Sequence, residues 1–356
     1  MSSLLDIALL TMGDPNRITG GYLFHQRMAE RAMAFGASLR FVSLPGWPFP
    51  LAALAAVLTL RQAGGADALV LDSLAAAYIA PWLTFRPPHM PLVAMLHQPP
   101  GGIESGPLRR AVQTPFDWLA YARVAKLMVA SEALAEQITK AGVPRSKLRV
   151  VVPGCDGASL PVVPISDLRQ GRTIACLCVA NWLPRKGILD LLEAFARLPI
   201  EAATLHLVGD PDIDRRYAMR VRARIAQPDL VGRVVIHGHV DPQTVPSFYA
   251  AADIFVLPSL VEPYGTVYGE AMAAGLPVVG YRAGNLPHLA GNGHEGLLVE
   301  PGDIAGLAHA LRRLTNDTAL REQFAIAAGA RARHYPTWDD SARVFFKTIR
   351  EVVDEA

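Results

Sequence analysis

The sequence predicts two doubly wound α/β domains in one chain of 356 residues. Three observations carry that reading. Short, continuous apolar runs alternate with segments of helical spacing, the pattern of buried parallel strands joined by crossover helices. The alternation runs through the first half and starts afresh near residue 174. Between the halves, VVPGCDGASLPVVPISD (151–167) is rich in proline and glycine, which marks a linker. The length also exceeds what one core ordinarily organises.

In the first half IALL (7–10) reads as a strand, a loop leads to Gly20-Gly21, and helical spacing runs to Phe35. RFVSL, ALVLD, LVAML and KLMVA follow as strands, with helical segments such as 131–142 between them. In the second half TIACLCVAN, TLHLVGD, VVIHGHV, DIFVLPS and PVVGY are strands. Helices are expected at 187–198, 212–226, 243–252, 266–275 and 303–316. A last amphipathic helix is expected from about 338 to 355, after Tyr335-Pro336. The expected domains are therefore 1–160 and 161–337, with the terminal helix (338–356) after them.

With 51% hydrophobic and 19% charged residues, the chain reads as a folded protein with large cores. A net charge of +2 gives no bulk attraction for nucleic acid. Cys176 and Cys178 alternate on one face of an apolar strand and read as small buried hydrophobes. With Cys155 the count is three, which suits a reducing cytoplasm and no zinc site. The N-terminus lacks a signal-peptide pattern. FPLAALAAVLTL (49–60) is too short to span a bilayer. Residues 66–85 are interrupted by Asp67, Asp72 and Pro81, so no transmembrane segment is expected. The stretch around Trp47-Pro48-Phe49-Pro50, with Arg109 and Arg110, reads as buried core beside two surface arginines. A peripheral membrane contact stays open there.

Two such domains facing each other would set their strand carboxyl ends across one cleft, where ligands bind. The chemistry is densest in SLVEPYGTVYGEAMAAGLPVVGY (259–281). A strand ends in a loop holding Glu262, Pro263 and Gly265, and a helix starts near Thr266. The first amides there, from Gly265, Thr266 and Val267, lack partners within the helix and carry the positive end of its dipole. Such an end suits phosphate. Glu262 and Glu270 flank it, and a carboxylate accepts two hydroxyl hydrogen bonds well. Taken alone, either glutamate reads rather as a solvated surface charge or a helix-start stabiliser.

The run EPYGTVYGEAMAAGLPVV resembles the E-x7-E signature of the family 4 retaining glycosyltransferases, which have the GT-B fold. The similarity spans essentially the whole chain and is densest at 174–302. It implies two Rossmann-like domains about a central cleft, with the last helix crossing back to the first. By this resemblance Glu262 contacts the transferred sugar, Glu270 the nucleotide ribose, and the turn between them the diphosphate. VANWLPRKGILDLLEAF (179–195) holds Lys186-Gly187 in register, and a lysine suits a diphosphate. Where the family has an arginine, this chain has Asn181; Arg185 replaces that cation, or Asn181 gives a neutral hydrogen bond. The strand ends LVGD and VIHGHV line the base pocket by resemblance, with Val240 a candidate for backbone contact. His237 and His239 read as structural. Gly20-Gly21 resembles the loop that closes over donor phosphates and acceptor. His97, ending LVAML, resembles the family's first-domain histidine near the donor sugar. VVPGCD resembles V-P-N-G-V-D, with Gly154 in place of asparagine.

The expected activity is transfer of a hexose-type sugar from a nucleoside-diphosphate sugar, with retention, to an acceptor of unknown identity. Uridine and guanosine are the bases the resemblance favours. No cofactor or metal is expected: Asp210-Pro-Asp212 lies by the base pocket, and Asp339-Asp340 lies on the terminal helix. A sugar-nucleotide epimerase of the same fold and a non-catalytic nucleotide-sugar-binding partner are the alternatives.

Overall fold

The computed structural model describes residues 4–15, 20–47, 51–85, 89–103, 106–155, 165 and 167–356. The chain folds as two compact units, residues 1–154 with 336–356, and 155–335. The boundary expected near 160 lies outside the described residues.

Unit 1 alternates strand and helix throughout. Its elements are β1 (Leu5–Met12), α1 (Gly20–Arg31), β2 (Ala37–Leu44), α2 (Ala56–Gln62), β3 (Ala68–Asp72) and α3 (Ala76–Phe85). There follow β4 (Leu92–Leu96), α4 (Pro107–Ala122), β5 (Lys126–Val129), α5 (Glu132–Lys140) and β6 (Leu148–Val150). The strands form one parallel sheet in the order β2-β1-β3-β4-β5-β6. Every residue of β3 and β4 is buried, because helices cover both faces of a doubly wound sheet. The strand order reverses between β1 and β3, which makes that point the ligand crevice of such a sheet.

Unit 2 repeats the plan. It holds β7 (Ile174–Val179), α6 (Ile188–Phe195), β8 (Ala203–Val208), α7 (Arg215–Ile225), β9 (Val234–Gly238) and α8 (Val245–Ala251). Next come β10 (Ile254–Leu257), α9 (Thr266–Ala273), β11 (Val278–Tyr281), α10 (Leu286–Leu289), β12 (Gly296–Val299), α11 (Ile304–Asn316) and α12 (Thr318–Ala332). Its parallel sheet runs β12-β11-β10-β7-β8-β9, so the order reverses between β7 and β10. The buried, free thiols of Cys176 and Cys178 are pushed up to about 12 by burial; they are core residues.

The last helix, α13 (Trp338–Asp354), belongs to unit 1. Thr337 and Asp340 form a capping box at its start, which satisfies two otherwise unpaired amides. Its apolar face is laid on α1 and the turn after it: Phe345 meets Phe24, and Phe346 stacks on Phe35 at 5.7 Å. Gly154 explains its own departure from the family pattern. A Cβ there would lie 2.3 Å from the Trp338 amide nitrogen, so the entry of α13 leaves no room for asparagine.

One expectation needs correction. The apolar stretch at 51–60 is only half core: Ala52, Ala56 and Thr59 are buried, but Leu51, Leu54 and Leu58 are exposed, Leu54 by 74%. A stretch whose one polar side chain before Arg61, Thr59, is itself buried has no polar face to say which side points out. Residues 48–50 lie outside the described residues. No described helix is long and apolar enough to cross a membrane.

Candidate active site

In unit 2 the site residues collect where β7 and β10 part. β7 runs out into Asn181, and the chain turns through a 3-10 segment, Pro184–Lys186, into α6. Gly187 makes that turn at φ +69°, and a Cβ on it would lie 2.1 Å from the Pro258 carbonyl oxygen. Only glycine fits both the left-handed backbone and the close approach. The turn is thereby pinned against the loop that follows β10. Leu260 donates its amide to the Arg185 carbonyl at 2.7 Å, and Ser259 donates its hydroxyl to the same oxygen at 3.2 Å.

This contact brings two residues 76 positions apart together. The Lys186 ammonium pairs with the Glu262 carboxylate, and Ser259 Oγ stands 3.5 Å from the same carboxylate. The two side chains are only 13% and 12% exposed. A pair this enclosed keeps most of its Coulomb attraction, so each charge depends on the other. The Glu262 backbone is held from a second side: Asn285 donates its amide to the Glu262 carbonyl at 2.9 Å, and its side chain donates to Tyr264 O at 3.1 Å.

Gly265 follows at φ +86° and is the N-cap of α9, with no side-chain hydrogen bond capping the helix. Thr266 and Val267, half-buried, open the helix. The amide end of α9 thus stands beside the Lys186–Glu262 pair with its dipole uncapped. Glu270, one turn on, is exposed and accepts a hydrogen bond from Tyr249 at 2.9 Å. Tyr249 stands on α8, and nothing in its apolar neighbourhood in the sequence signals this contact.

Neither candidate for the missing arginine is idle. Asn181 is exposed, and its Oδ1 accepts the Asp210 amide at 3.0 Å. Arg185 is half-buried and donates from Nη1 to the Val261 carbonyl at 3.2 Å. Val240, partly buried, packs on the unit 2 core. His237 is structural: its Nε2 meets His206 Nδ1 at 2.9 Å, and His206 Nε2 meets the Leu168 carbonyl at 2.6 Å. His239 is exposed.

In unit 1, Gly21 and His97 meet. His97 follows β4, and a Cβ on Gly21 would lie 3.4 Å from its Cδ2. The glycine lets the start of α1 come down on the imidazole. The buried His25 and Asp72, which the motif reading passes over, form a group with the half-buried His97. A signal was present: Gly21 and His25 stand four apart on one helix face, and Asp72 is a carboxylate closing an otherwise apolar strand.

A family model described as Glycosyl transferases group 1 matches residues 167–331, and one described as Glycosyl transferase 4-like domain matches residues 5–154. The chain belongs to family 4 of the glycosyltransferases. Its fold is GT-B. The chain is 31% identical over 267 residues, 71% of its length, to glycogen synthase of Mycobacterium tuberculosis, and the match spans 61% of that enzyme. Among solved structures, sucrose-phosphate synthase from Thermosynechococcus elongatus superposes with a TM-score of 0.84 at 21% identity, covering 99% of this chain and 100% of that one. Anabaena HepE in complex with UDP and glucose gives 0.79 at 22% identity, covering 97% and 99%.

Proposed function

We propose that this glycosyltransferase moves a hexose-type sugar from a nucleoside-diphosphate sugar to an acceptor hydroxyl, with retention and without a metal ion. The observation that carries the reading is the Lys186–Glu262 pair beside the uncapped amide end of α9. Breaking a glycosyl-phosphate bond leaves negative charge on the departing diphosphate and develops positive charge on the sugar. Lys186 and the amides of Gly265, Thr266 and Val267 are fixed donors for the first charge, and they need no reorganisation as it grows. The Glu262 carboxylate faces the second. Glu270 takes the hydroxyls of the nucleotide ribose, and the Tyr249 hydrogen bond fixes its orientation. Val240 offers backbone groups to the base, and Gly21 and His97 meet the donor from unit 1. HepE's complex with UDP and glucose favours uridine as the base.

The departing diphosphate takes the acceptor's proton as the acceptor oxygen bonds to the anomeric carbon on the same face. The test is a screen of UDP- and GDP-hexoses with simple acceptors in excess EDTA, with the product's anomeric centre read by NMR. A retained product formed in EDTA is expected. An inverted product, or activity lost in EDTA and restored by magnesium or manganese, overturns the mechanism.

A further inference from the structure

His97 does not stand alone in unit 1. Beneath it lies a buried carboxylate, Asp72, 1% exposed, and a fully buried imidazole, His25. One Asp72 oxygen accepts from Thr11 Oγ1 at 2.6 Å, and the other is 3.2 Å from both the Ser73 hydroxyl and the Leu74 amide. His25 Nε2 lies 3.5 Å from Asp72 Oδ2. The His25 and His97 rings meet edge to face, 4.8 Å between centroids. Neither ring nitrogen of His25 makes a hydrogen bond, nor does the buried Nε2 of His97.

A buried carboxylate is costly unless a cation or several hydrogen bonds face it. Among the described residues the groups whose charge lowers the Asp72 pKa are His25 and His97. Burial alone would raise it; the nearby His25 outweighs that, helped by His97 and the Thr11 hydrogen bond, and holds it at about 2. From α4, Tyr121 faces the carboxylate with a hydroxyl held well above its ordinary value, by burial first and then by Asp117 and Asp72. It supplies no positive charge. From α13, Trp338 and Phe345 reach this corner as rings against Phe24.

We propose that Asp72 and His25 form a buried ion pair that keeps His97 neutral while His97 works at the donor sugar. His25 carries the proton, because it touches the carboxylate and has no other polar partner. A second proton on His97 would place two imidazoliums 4.8 Å apart over one carboxylate. Burial, and then the charge on His25, push the His97 imidazole below its ordinary value, against the pull of Asp72. The consequence is chemical. The transition state puts positive charge on the sugar, and an imidazolium beside it would oppose that charge. A neutral imidazole gives one oriented N–H hydrogen bond and no repulsion. Asp72 and His25 are positioning residues; they act through His97. The inference rests on the reading of His97 as a donor-sugar contact.

The experiment is a pH profile of kcat in the full chain, from pH 5 to 8.5. The parent is expected to show no acid limb from His97. His25→Gln leaves Asp72 facing His97 alone, so His97 gains a proton in this window. kcat should then fall about tenfold per pH unit below the new ionisation. The double variant His25→Gln with Asp72→Asn removes both charges and should flatten the profile again, an effect that loss of packing alone cannot produce. A single variant with no acid limb, or a double variant that keeps it, overturns the proposal. Should His25→Gln fail to fold, imidazole NMR of the 15N-histidine-labelled parent decides: His25 protonated and His97 neutral at pH 7 is expected, and His25 neutral overturns it. Zinc bound by the parent and lost in His25→Gln would also overturn it, as the three ligand atoms lie within 4.8 Å of one another. His97→Ala separates the two readings. An unchanged kcat there sinks the role of His97, whereas a reduced kcat with no acid limb in His25→Gln sinks the buried pair alone.

Discussion

Replacing Lys186 by alanine should separate two jobs that one side chain does. In the unliganded protein Lys186 neutralises Glu262, and both side chains are about seven-eighths enclosed. Removing one partner of a buried pair costs about 3–5 kcal/mol. The residual exposure and the nearby Ser259 hydroxyl place this case near the lower end, about 3 kcal/mol. For a unit of this size each kcal/mol lowers the melting temperature by about 2–4 °C, so Lys186→Ala should melt about 6–12 °C lower. Its turnover should fall about 100- to 1000-fold, the usual loss when one preorganised electrostatic partner of a transition state is removed. Adding Glu262→Gln removes the stranded charge, so the double variant should regain most of the lost stability and none of the turnover. Arg185→Ala leaves the backbone bonds of the turn in place and removes one hydrogen bond to Val261, so it should cost less than about tenfold. Thermal melts and donor-saturated rates on the four proteins settle the matter. If the double variant turns over faster than Lys186→Ala, the lysine serves only to hold Glu262. If Arg185→Ala is the more damaging single change, the phosphate grip lies with Arg185.

Three other outcomes follow from the geometry. Glu270→Ala should raise the donor dissociation constant about 10- to 150-fold, the worth of charge-assisted hydrogen bonds, and Tyr249→Phe should raise it less; calorimetric titration with UDP measures both, and equal affinities would remove Glu270 from the ribose. Gly187→Ala should abolish folding of unit 2, since the new Cβ meets the Pro258 carbonyl at 2.1 Å at φ +69°, whereas Gly171→Ala, at φ +78° with open space around it, should cost only about 1–2 kcal/mol. Burial pushes both the buried His206 and the half-buried His237 below their ordinary value, the Leu168 carbonyl resisting this at His206. With folded values below the unfolded ones, their stabilisation is complete above about pH 6.5 and drains away as the pH falls. Urea midpoints should therefore drop between pH 7.5 and 5, with a shallower drop in His237→Gln.

The strands were legible because buried parallel strands leave unbroken apolar runs, and ALVLD and LVAML match β3 and β4 residue for residue. The helices that escape reading lack an apolar stripe. α12 buries only Phe324 and Ala328. α4 carries Pro115 inside it, and its buried face includes the polar pair Gln113 and Asp117; Asp117 accepts the Gly101 amide at 2.7 Å, and Gln113 donates to the same Asp117 oxygen at 3.4 Å. Polar groups turned inward reverse the pattern that periodicity detects.

The same contrast divides the site. The proposed donor site of unit 2 is legible because most of it lies in one loop and one helix start: Glu262, Gly265, Thr266 and Glu270 fall within nine consecutive residues. Local chemistry leaves a local signature. The environment of His97 is assembled from three elements, with His25 from α1, Asp72 from β3 and His97 after β4. Each leaves only a weak mark of its own: His25 shares a helix face with Gly21, and Asp72 and His97 stand at the ends of apolar strands. What joins them is parallel register, which aligns Asp72 with Met95, two residues before His97, and the packing of α1 across these strand ends. Register and packing are properties of the folded sheet, so a charge balanced across three strand-and-helix ends becomes visible only when the sheet is built. A reading by motif finds His97 and misses His25 and Asp72, the two residues proposed to set its charge.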